Sequence, residues 1–445
     1  MGTTGKDENA LGGISSGNHE ESISLTPPSK GHDPFLALRF RNGRLFVIGT
    51  FINFVGQKMT EVAIAWELYE RTGSAFILGL VGLILVIPVF FLSLPAGHAS
   101  DYCNRKRIVI GAQAFLIFAC LGLAGLSYGH GPLVFVFACL LLMGGANAFS
   151  IPAGGALLSQ LVPEHAYENI ATWNSSAWQL ATVLGPALGG FLIAIFQSTT
   201  LVYVLNAIAG LALGILLLLI HEAPRKVPLV HYNKNTAVSS LIECFRFLRR
   251  TQIILAAITL DMFAVLLGGA TTLLPIFAKD ILHVGPVGLG WLRAAPAIGA
   301  VCIGLILAHR PPFKKAGTTL LLAVIGFGIA TIGFGLSRSF WLSLLMLFLL
   351  GGLDNISVVI RSALLLMRTP DEMRGRVAAV NGIFLGASNE LGGFESGLTA
   401  QLFGPTLSVV GGGVGTILVV LLVALLSPEL RHLTTLHSCE LDKAE

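Results

Sequence analysis

Long apolar runs separated by short polar joints organise the chain from Leu45 to Leu426. Each run holds about 20 residues or more, the length a helix needs to cross a hydrocarbon core. Twelve spans are predicted: Leu45–Leu68, Phe76–Ala96, Ile108–Tyr128, Leu133–Leu161, Ile170–Phe196, Leu201–Ile220, Ile253–Phe277, Leu289–Ala308, Thr319–Leu336, Phe340–Leu366, Val377–Phe403 and Leu407–Leu426. A polar stretch from Glu222 to Arg250 divides them into six and six. Ahead of the first span, Gly, Ser, Glu, Asn and Pro dominate, a composition that cannot bury enough apolar surface to order itself. The expected organisation is a disordered tail over 1–38, a six-helix bundle over 39–221, a linker over 222–250, a second bundle over 251–428 and a tail over 429–445.

Composition removes the alternatives to this reading. Hydrophobic residues make up 54% of the chain and charged residues 12%, and mean hydropathy is +0.79. Soluble domains are not this apolar, so the fold class is all-α, a polytopic membrane protein with twelve transmembrane helices. The six cysteines (Cys103, Cys120, Cys139, Cys244, Cys302 and Cys439) are scattered, with no CxxC or His-bearing spacing. They are expected as small thiols, and neither a metal nor a cofactor is expected. The net charge of +4 resides in loop Lys and Arg beside lipid headgroups and offers no argument for nucleic acid. No apolar leader with a cleavage site precedes the first span, which is therefore expected to direct insertion itself.

Orientation follows from Lys and Arg. The tails and alternate joints on the side of Arg105, Lys106 and Arg107 hold 22 of the 28 cations, whereas the opposite joints hold Arg71, Lys279 and Arg338. Both termini are expected on the cytoplasmic side. The end of the linker, Ser239 to Arg250, can lay its apolar residues on the membrane while its arginines reach headgroups. For the linker before Ser239, a plain cytosolic connection fits equally well.

The two halves read as copies. Ala156 to Glu164 aligns with Ala363 to Asp371, and without a gap Asn174 then falls on Asn381, Gly185 on Gly392 and Gly190 on Gly397. Two six-span repeats with a substrate site between them near the midplane is a transporter architecture.

Two motifs narrow this further. Between the second and third spans lies Gly97-His98-Ala99-Ser100-Asp101-Tyr102-Cys103-Asn104-Arg105-Lys106-Arg107. Here Gly97 is expected to admit a close helix, Asp101 to accept hydrogen bonds, Asn104 to take a left-handed turn, and the cations to face lipid phosphates. The fifth span carries Gly185-Pro186-Ala187-Leu188-Gly189-Gly190, with glycines for backbone contact and a proline at which the helix is expected to bend. The first motif resembles the signature joint of the major facilitator superfamily, from which Tyr102 and Asn104 depart; the second resembles the motif of its antiporter branches. Thr369 to Val377 and Pro428 to His432 resemble the group of drug and siderophore exporters. Gly154 stands where many members place an arginine in the fourth span. The second copy of the joint keeps Gly304 but has Ala308 in place of an aspartate, followed by Arg310, Lys314 and Lys315.

The resemblance implies the major facilitator fold in a bacterial inner membrane. It also implies a cytoplasmic gate at Gly97, Asp101, Arg105, Lys106 and Arg107, and a helix-5 kink at Gly185, Pro186, Gly189 and Gly190. Charged residues inside spans are the proton or substrate candidates: Lys58, Glu61, Asp261, Arg293, Asp354, Arg361, Glu390 and Glu395. Lys58 and Glu61, three apart, are expected to neutralise each other. Arg361 is expected to tie the tenth span to a loop. Glu61, Asp261 and Glu390 are weighed evenly between a proton or substrate role and structural ion pairs. Trp66, Trp173, Trp178 and Trp291, with Phe51 and Phe54, fit either an aromatic cavity or packing at span ends.

Three functions are compared. The first is a proton-coupled exporter of small amphipathic molecules, acting as a monomer by alternating access. The second is an importer or lysophospholipid flippase on the same fold. The third, a membrane enzyme, is the weakest, because no nucleotide loop, metal cluster or nucleophile constellation is visible.

Overall fold

The structure, a computed structural model, describes residues 33–220, 251–311, 315–370 and 373–431, together with residues 2, 246 and 433. The amphipathic stretch expected near Ser239, most of the linker and most of both tails lie outside the described residues, as does Lys314.

We number the long helices in chain order. They are α1 (Arg41–Thr72), α2 (Ala75–Tyr102), α3 (Arg105–Tyr128), α4 (Leu133–Leu158), α5 (Tyr167–Phe196), α6 (Thr200–Leu219), α7 (Gln252–Leu267), α8 (Gly285–Ala308), α9 (Ala316–Leu336), α10 (Phe340–Arg368), α11 (Arg374–Phe403) and α12 (Pro405–Leu426). Among the described residues, ten helical segments are long and apolar enough to cross a membrane. The other two, α1 and α11, run for 32 and 30 residues but carry more polar positions. They pack among the spanning helices, which is consistent with twelve crossings.

Reversals are short where backbone chemistry permits. Gly73 closes α1 with φ 61°, and the Ser74 hydroxyl then accepts the Ile77 N–H to start α2. Gly404, at φ 90°, and Pro405, the first helical residue of α12, make the corresponding corner after α11.

Packing repeats between the halves. In the first, α1 packs on α5 and α6, α3 on α4 and α6, and α2 on α4; in the second, α7 packs on α11 and α12, α9 on α10 and α12, and α8 on α10. Two further contacts, α2 with α11 and α5 with α8, join the halves and exchange under the same correspondence. Repeated sequence thus becomes repeated packing.

The apolar core shows which end is closed. One continuous cluster joins Leu68, Leu123 and Tyr203 of the first half to Leu274, Phe277, Leu289 and Phe334 of the second, at the end that carries Arg71 and Lys279. At the basic end the halves have separate cores, one around Phe46, Leu157 and Leu217 and the other around Leu260, Leu320 and Leu364. The outer surface keeps large apolar side chains exposed, including Phe91 at 73%, Phe118 at 71% and Trp341 at 75%. In water such a surface would be an association hazard; against lipid tails it is the expected one.

The seventh span departs from the continuous helix predicted. α7 ends at Leu267, and Gly268 and Gly269 lead into a 3-10 turn (Ala270–Leu273), a short helical turn (Leu274–Ile276) and a π turn (Phe277–Ile281). The break lies against α11, where a Cβ on Gly269 would stand 2.5 Å from both the Gly392 carbonyl and the Ser396 hydroxyl. Small residues are ordinary in membrane helices, so hydropathy alone does not register the interruption.

Candidate functional site

Near mid-bundle a cavity of about 440 Å³ opens between the halves, lined by Lys58 and Glu61 of α1, Gln179 of α5, Arg293 of α8, Asp354 of α10 and Asn389 of α11. That volume falls within the roughly 300–1,000 Å³ of small-molecule sites. Apolar walls come from Trp178, Phe327 and Leu350.

Four of the charges singled out from sequence meet in this cavity. Lys58 Nζ donates to Glu61 Oε1 at 2.7 Å, because residues three apart share a helix face. Arg293 Nη2 lies 3.6 Å from Glu61 Oε2, so the ion pair bridges the two halves. Lys58 Nζ also sits 4.7 Å from the centre of the Trp178 ring, and Phe54 meets that ring edge-on at 5.0 Å. Two cations therefore hold Glu61, and an aromatic face completes one wall.

Asp261 and Arg361 form a second site inside the second half. Their ion pair joins α7 to α10, with side chains only 6% and 3% exposed. Arg361 thus binds a neighbouring helix rather than the expected loop, and Asp354 of its own helix also lies within electrostatic range. Asp354, two turns earlier on α10, is half-buried and borders both this pair and the central cavity.

Glu390 and Glu395 lie outside the cavity lining. The Glu390 carboxylate rests against Gly82 of α2, where a Cβ would stand 2.5 Å from Oε2. Glu395 Oε2 accepts from the Ser396 hydroxyl at 3.5 Å. The aromatic cavity contracts to Trp178 and its neighbour Phe54. Trp173 instead donates to the Pro34 carbonyl at 2.9 Å, Trp66 is buried, and Trp291 is 48% exposed on the surface.

The glycine motif of α5 serves two contacts. Gly185 and Gly189 face α1, and a Cβ on Gly189 would stand 3.1 Å from Met59 Cα. Gly190 faces α8, with Gly290 Cα at 3.0 Å from the same construction. The equivalent Gly397 meets Gly79 of α2, so the aligned glycines occupy both joins between the halves. Pro186 does not interrupt α5, which stays helical from Tyr167 to Phe196.

The expected gate differs in its chemistry. Among the described residues nothing lies within 4 Å of a Cβ built on Gly97, at the end where the halves have separate cores. Arg105 donates to the Ala156 carbonyl at 2.9 Å and the Ser100 carbonyl at 3.2 Å, and Lys106 to the Ile220 carbonyl at 2.9 Å. These two cations thus satisfy carbonyls at helix ends, which lack intrahelical partners; Arg107 is exposed. Asn104 has φ −68° and caps α3 by accepting the Arg107 N–H at 3.1 Å, so its role is capping rather than a left-handed turn. The Asp101 side chain lies outside the described residues.

Sequence reasoning missed the closure at the opposite end. Tyr69 OH donates to the Asp280 carboxylate, and Lys279 Nζ lies 5.8 Å from the Tyr69 ring centre. Gln401 Oε1 accepts from the Ser74 hydroxyl at 3.1 Å and the Phe76 N–H at 3.4 Å. Nothing in a single tyrosine or glutamine at a span end signals a partner more than two hundred residues away.

Comparison with known proteins agrees with this architecture. The profile of the family described as "Transmembrane secretion effector" matches residues 32–442. The chain is 27% identical over 420 residues to the multidrug efflux pump Tap of Mycobacterium tuberculosis, covering 90% of this chain and 96% of the pump. It is 27% identical over 396 residues to the enterobactin exporter EntS of Citrobacter koseri, covering 87% and 92%. In fold it is similar to a bacterial homologue of the human lysosomal transporter Spinster in an inward-facing, unoccupied conformation. There the TM-score is 0.67 at 14% identity, covering 88% of this chain and 96% of that one. With its paired six-helix packing, its central cavity and a profile match spanning almost the whole sequence, the chain belongs to the transmembrane secretion effector family of major facilitator superfamily transporters.

Proposed function

We propose that the chain is a proton-coupled exporter of small amphipathic organic molecules that works by alternating access in a bacterial inner membrane. The observation that carries this is the mid-bundle cavity, bridged by Glu61 and Arg293 and sealed at one end only. With the basic end cytoplasmic, as its excess of Lys and Arg suggests, the cavity faces the compartment from which cargo is collected. The bundles over 39–221 and 251–428 are the bodies that rock about it.

Site chemistry supports the cargo class. Lys58, Arg293, Glu61 and Asp354 supply both signs of charge, while Trp178 and Phe327 supply ring faces. A molecule with an apolar body and a charged or polar head satisfies both surfaces. The names of Tap and EntS, an efflux pump and an exporter, favour outward transport. Uphill movement requires a gradient, and the buried carboxylates of the second half offer a place for a proton.

Proteoliposomes holding the purified chain decide the matter. A macrolide, enterobactin and an aromatic amphipathic dye are tested for counter-flow, then for accumulation against their gradients with and without an imposed pH difference. Accumulation that requires the pH difference is expected. Counter-flow indifferent to pH removes proton coupling, and absence of counter-flow for all three removes the proposed cargo class.

A further inference from the structure

We infer that Asp354 is the carboxylate that exchanges a proton for cargo, with the buried Asp261–Arg361 pair behind it setting the charge it must answer. This rests on the proton-coupled reading above and names the residue that performs the exchange.

Position comes first. Asp354 lines the central cavity together with Lys58, Glu61 and Arg293, and it also lines a small adjoining pocket with Asp261, Val324, Leu353 and Ser357. Val265, Phe327 and Asp354 are common to both linings, so Asp354 is the one charged side chain at the junction among the described residues. A proton reaching the Asp261–Arg361 pair from cavity water passes it.

Charge balance comes second. Asp261 is already paired with Arg361. Asp354 makes no hydrogen bond or ion pair among the described residues, yet lies within electrostatic range of both. Two carboxylates against one guanidinium leave one formal negative charge, and a membrane interior penalises an uncompensated charge heavily. The adjoining pocket has a volume of about 10 Å³. That is room for about one water. A proton carried by such a water neutralises Asp354, and so does a cationic head group lying on its central-cavity side.

The other carboxylates are placed differently. Glu61 on α1 is held between Lys58 and Arg293, so protonating it would strand two cations. Glu390 on α11 lies against Gly82 and outside the lining, although within electrostatic range of Lys58, Glu61 and Arg293. From α9, the element that closes the junction, comes Phe327, which does not titrate. Asp354 therefore faces Asp261 from α7 and Arg361 on its own helix, with Lys58, Glu61 and Arg293 across the cavity.

Exchange then needs no further device. A proton from cavity water bonds to an Asp354 carboxylate oxygen, and the cluster goes from one excess negative charge to none. When the proton returns to water, the freed carboxylate is available to a cationic cargo group. Because proton and cargo compete for the same oxygen atoms, each crossing in the opposite direction displaces the other.

The test compares wild type, Asp354→Asn, Asp354→Glu and Glu395→Gln in proteoliposomes with a cationic aromatic dye, and in detergent with a pH indicator. Wild type is expected to release a proton on binding dye, and one-for-one exchange supports at most about tenfold accumulation per unit of pH difference. Asp354→Asn should release no proton and hold the accumulation ratio near one, while counter-flow persists at weakened dye affinity. Glu395→Gln should behave as wild type. If Asp354→Asn keeps pH-driven accumulation, Asp354 is not the carrier, although proton coupling stands. If wild type shows no response to pH, the underlying reading fails instead. Should Asp354→Asn fail to insert, Asp354→Glu decides: it must release a proton with a displaced pH profile, and an unmoved profile overturns the inference.

Discussion

Replacing Gly290 by valine places the energetic load on one conformation. At this point α8 touches α5 through backbone alone: a Cβ on Gly290 would stand 2.5 Å from the Pro186 carbonyl oxygen and 3.3 Å from the Cα atoms of Ala187 and Gly190. Comfortable contact needs about 3.5–4.0 Å, so the helices must separate by roughly 1 Å, and neither partner is a side chain that can rotate away. Overpacking of this kind costs about 1–3 kcal/mol. The cost falls on the state in which the seam is closed, because parting the halves at this end relieves it. A bias of that size changes the ratio of the two access states by about 5- to 150-fold. Spin labels on Gln197 and Ser339, exposed on different halves at the closing end, report the ratio as a distance distribution. Gly290→Val should move the population to longer distances and slow transport. Gly111→Val, where nothing lies within 4 Å of an added Cβ, should leave the distribution alone. Unchanged distances with Gly290→Val would refute the assignment of this contact as the seal.

The same label pair tests the polar closure. Tyr69→Phe removes the hydroxyl that donates to Asp280, and because Asp280 is exposed the loss is discounted to about 1 kcal/mol, a shift of about fivefold; no shift would mean the bond is incidental. Arg361→Met leaves Asp261 buried and unpaired, a loss of about 3–5 kcal/mol, seen as earlier thermal unfolding of the purified protein. Adding Asp261→Asn should recover most of it, and strictly additive losses would show that the two residues do not act as a pair.

What could be read in advance depended on how local the physics was. Hydropathy and loop charge are summed over many residues, so the spans emerged without any knowledge of packing. The Lys58–Glu61 pair was legible because three-residue spacing alone brings the side chains together. Arg293 joining the same carboxylate was not, since that contact depends on how one half sits against the other. Arg361 looked peripheral from its distance to the end of α10, but the packing of α7 on α10 brings Asp261 to it. At the charged joint Arg105 and Lys106 meet carbonyls that the sequence did not name as partners. The ends of α4 and α6 bring their unpaired carbonyls within reach of Arg105 and Lys106, an arrangement no local pattern encodes.

The interruption after Leu267 gives the two halves unequal stiffness. Its counterpart in the first half, α1, is a single rod of 32 residues, whereas α7 gives way at Gly268 and Gly269 and resumes only through turns. A rod transmits displacement along its length; a hinged strut absorbs part of it. The segment bearing Asp280 follows the glycine pair through turns, with Leu273, Leu274 and Phe277 buried in the core that closes one end of the bundle. The machine is therefore two-fold in its framework and one-armed in its articulation.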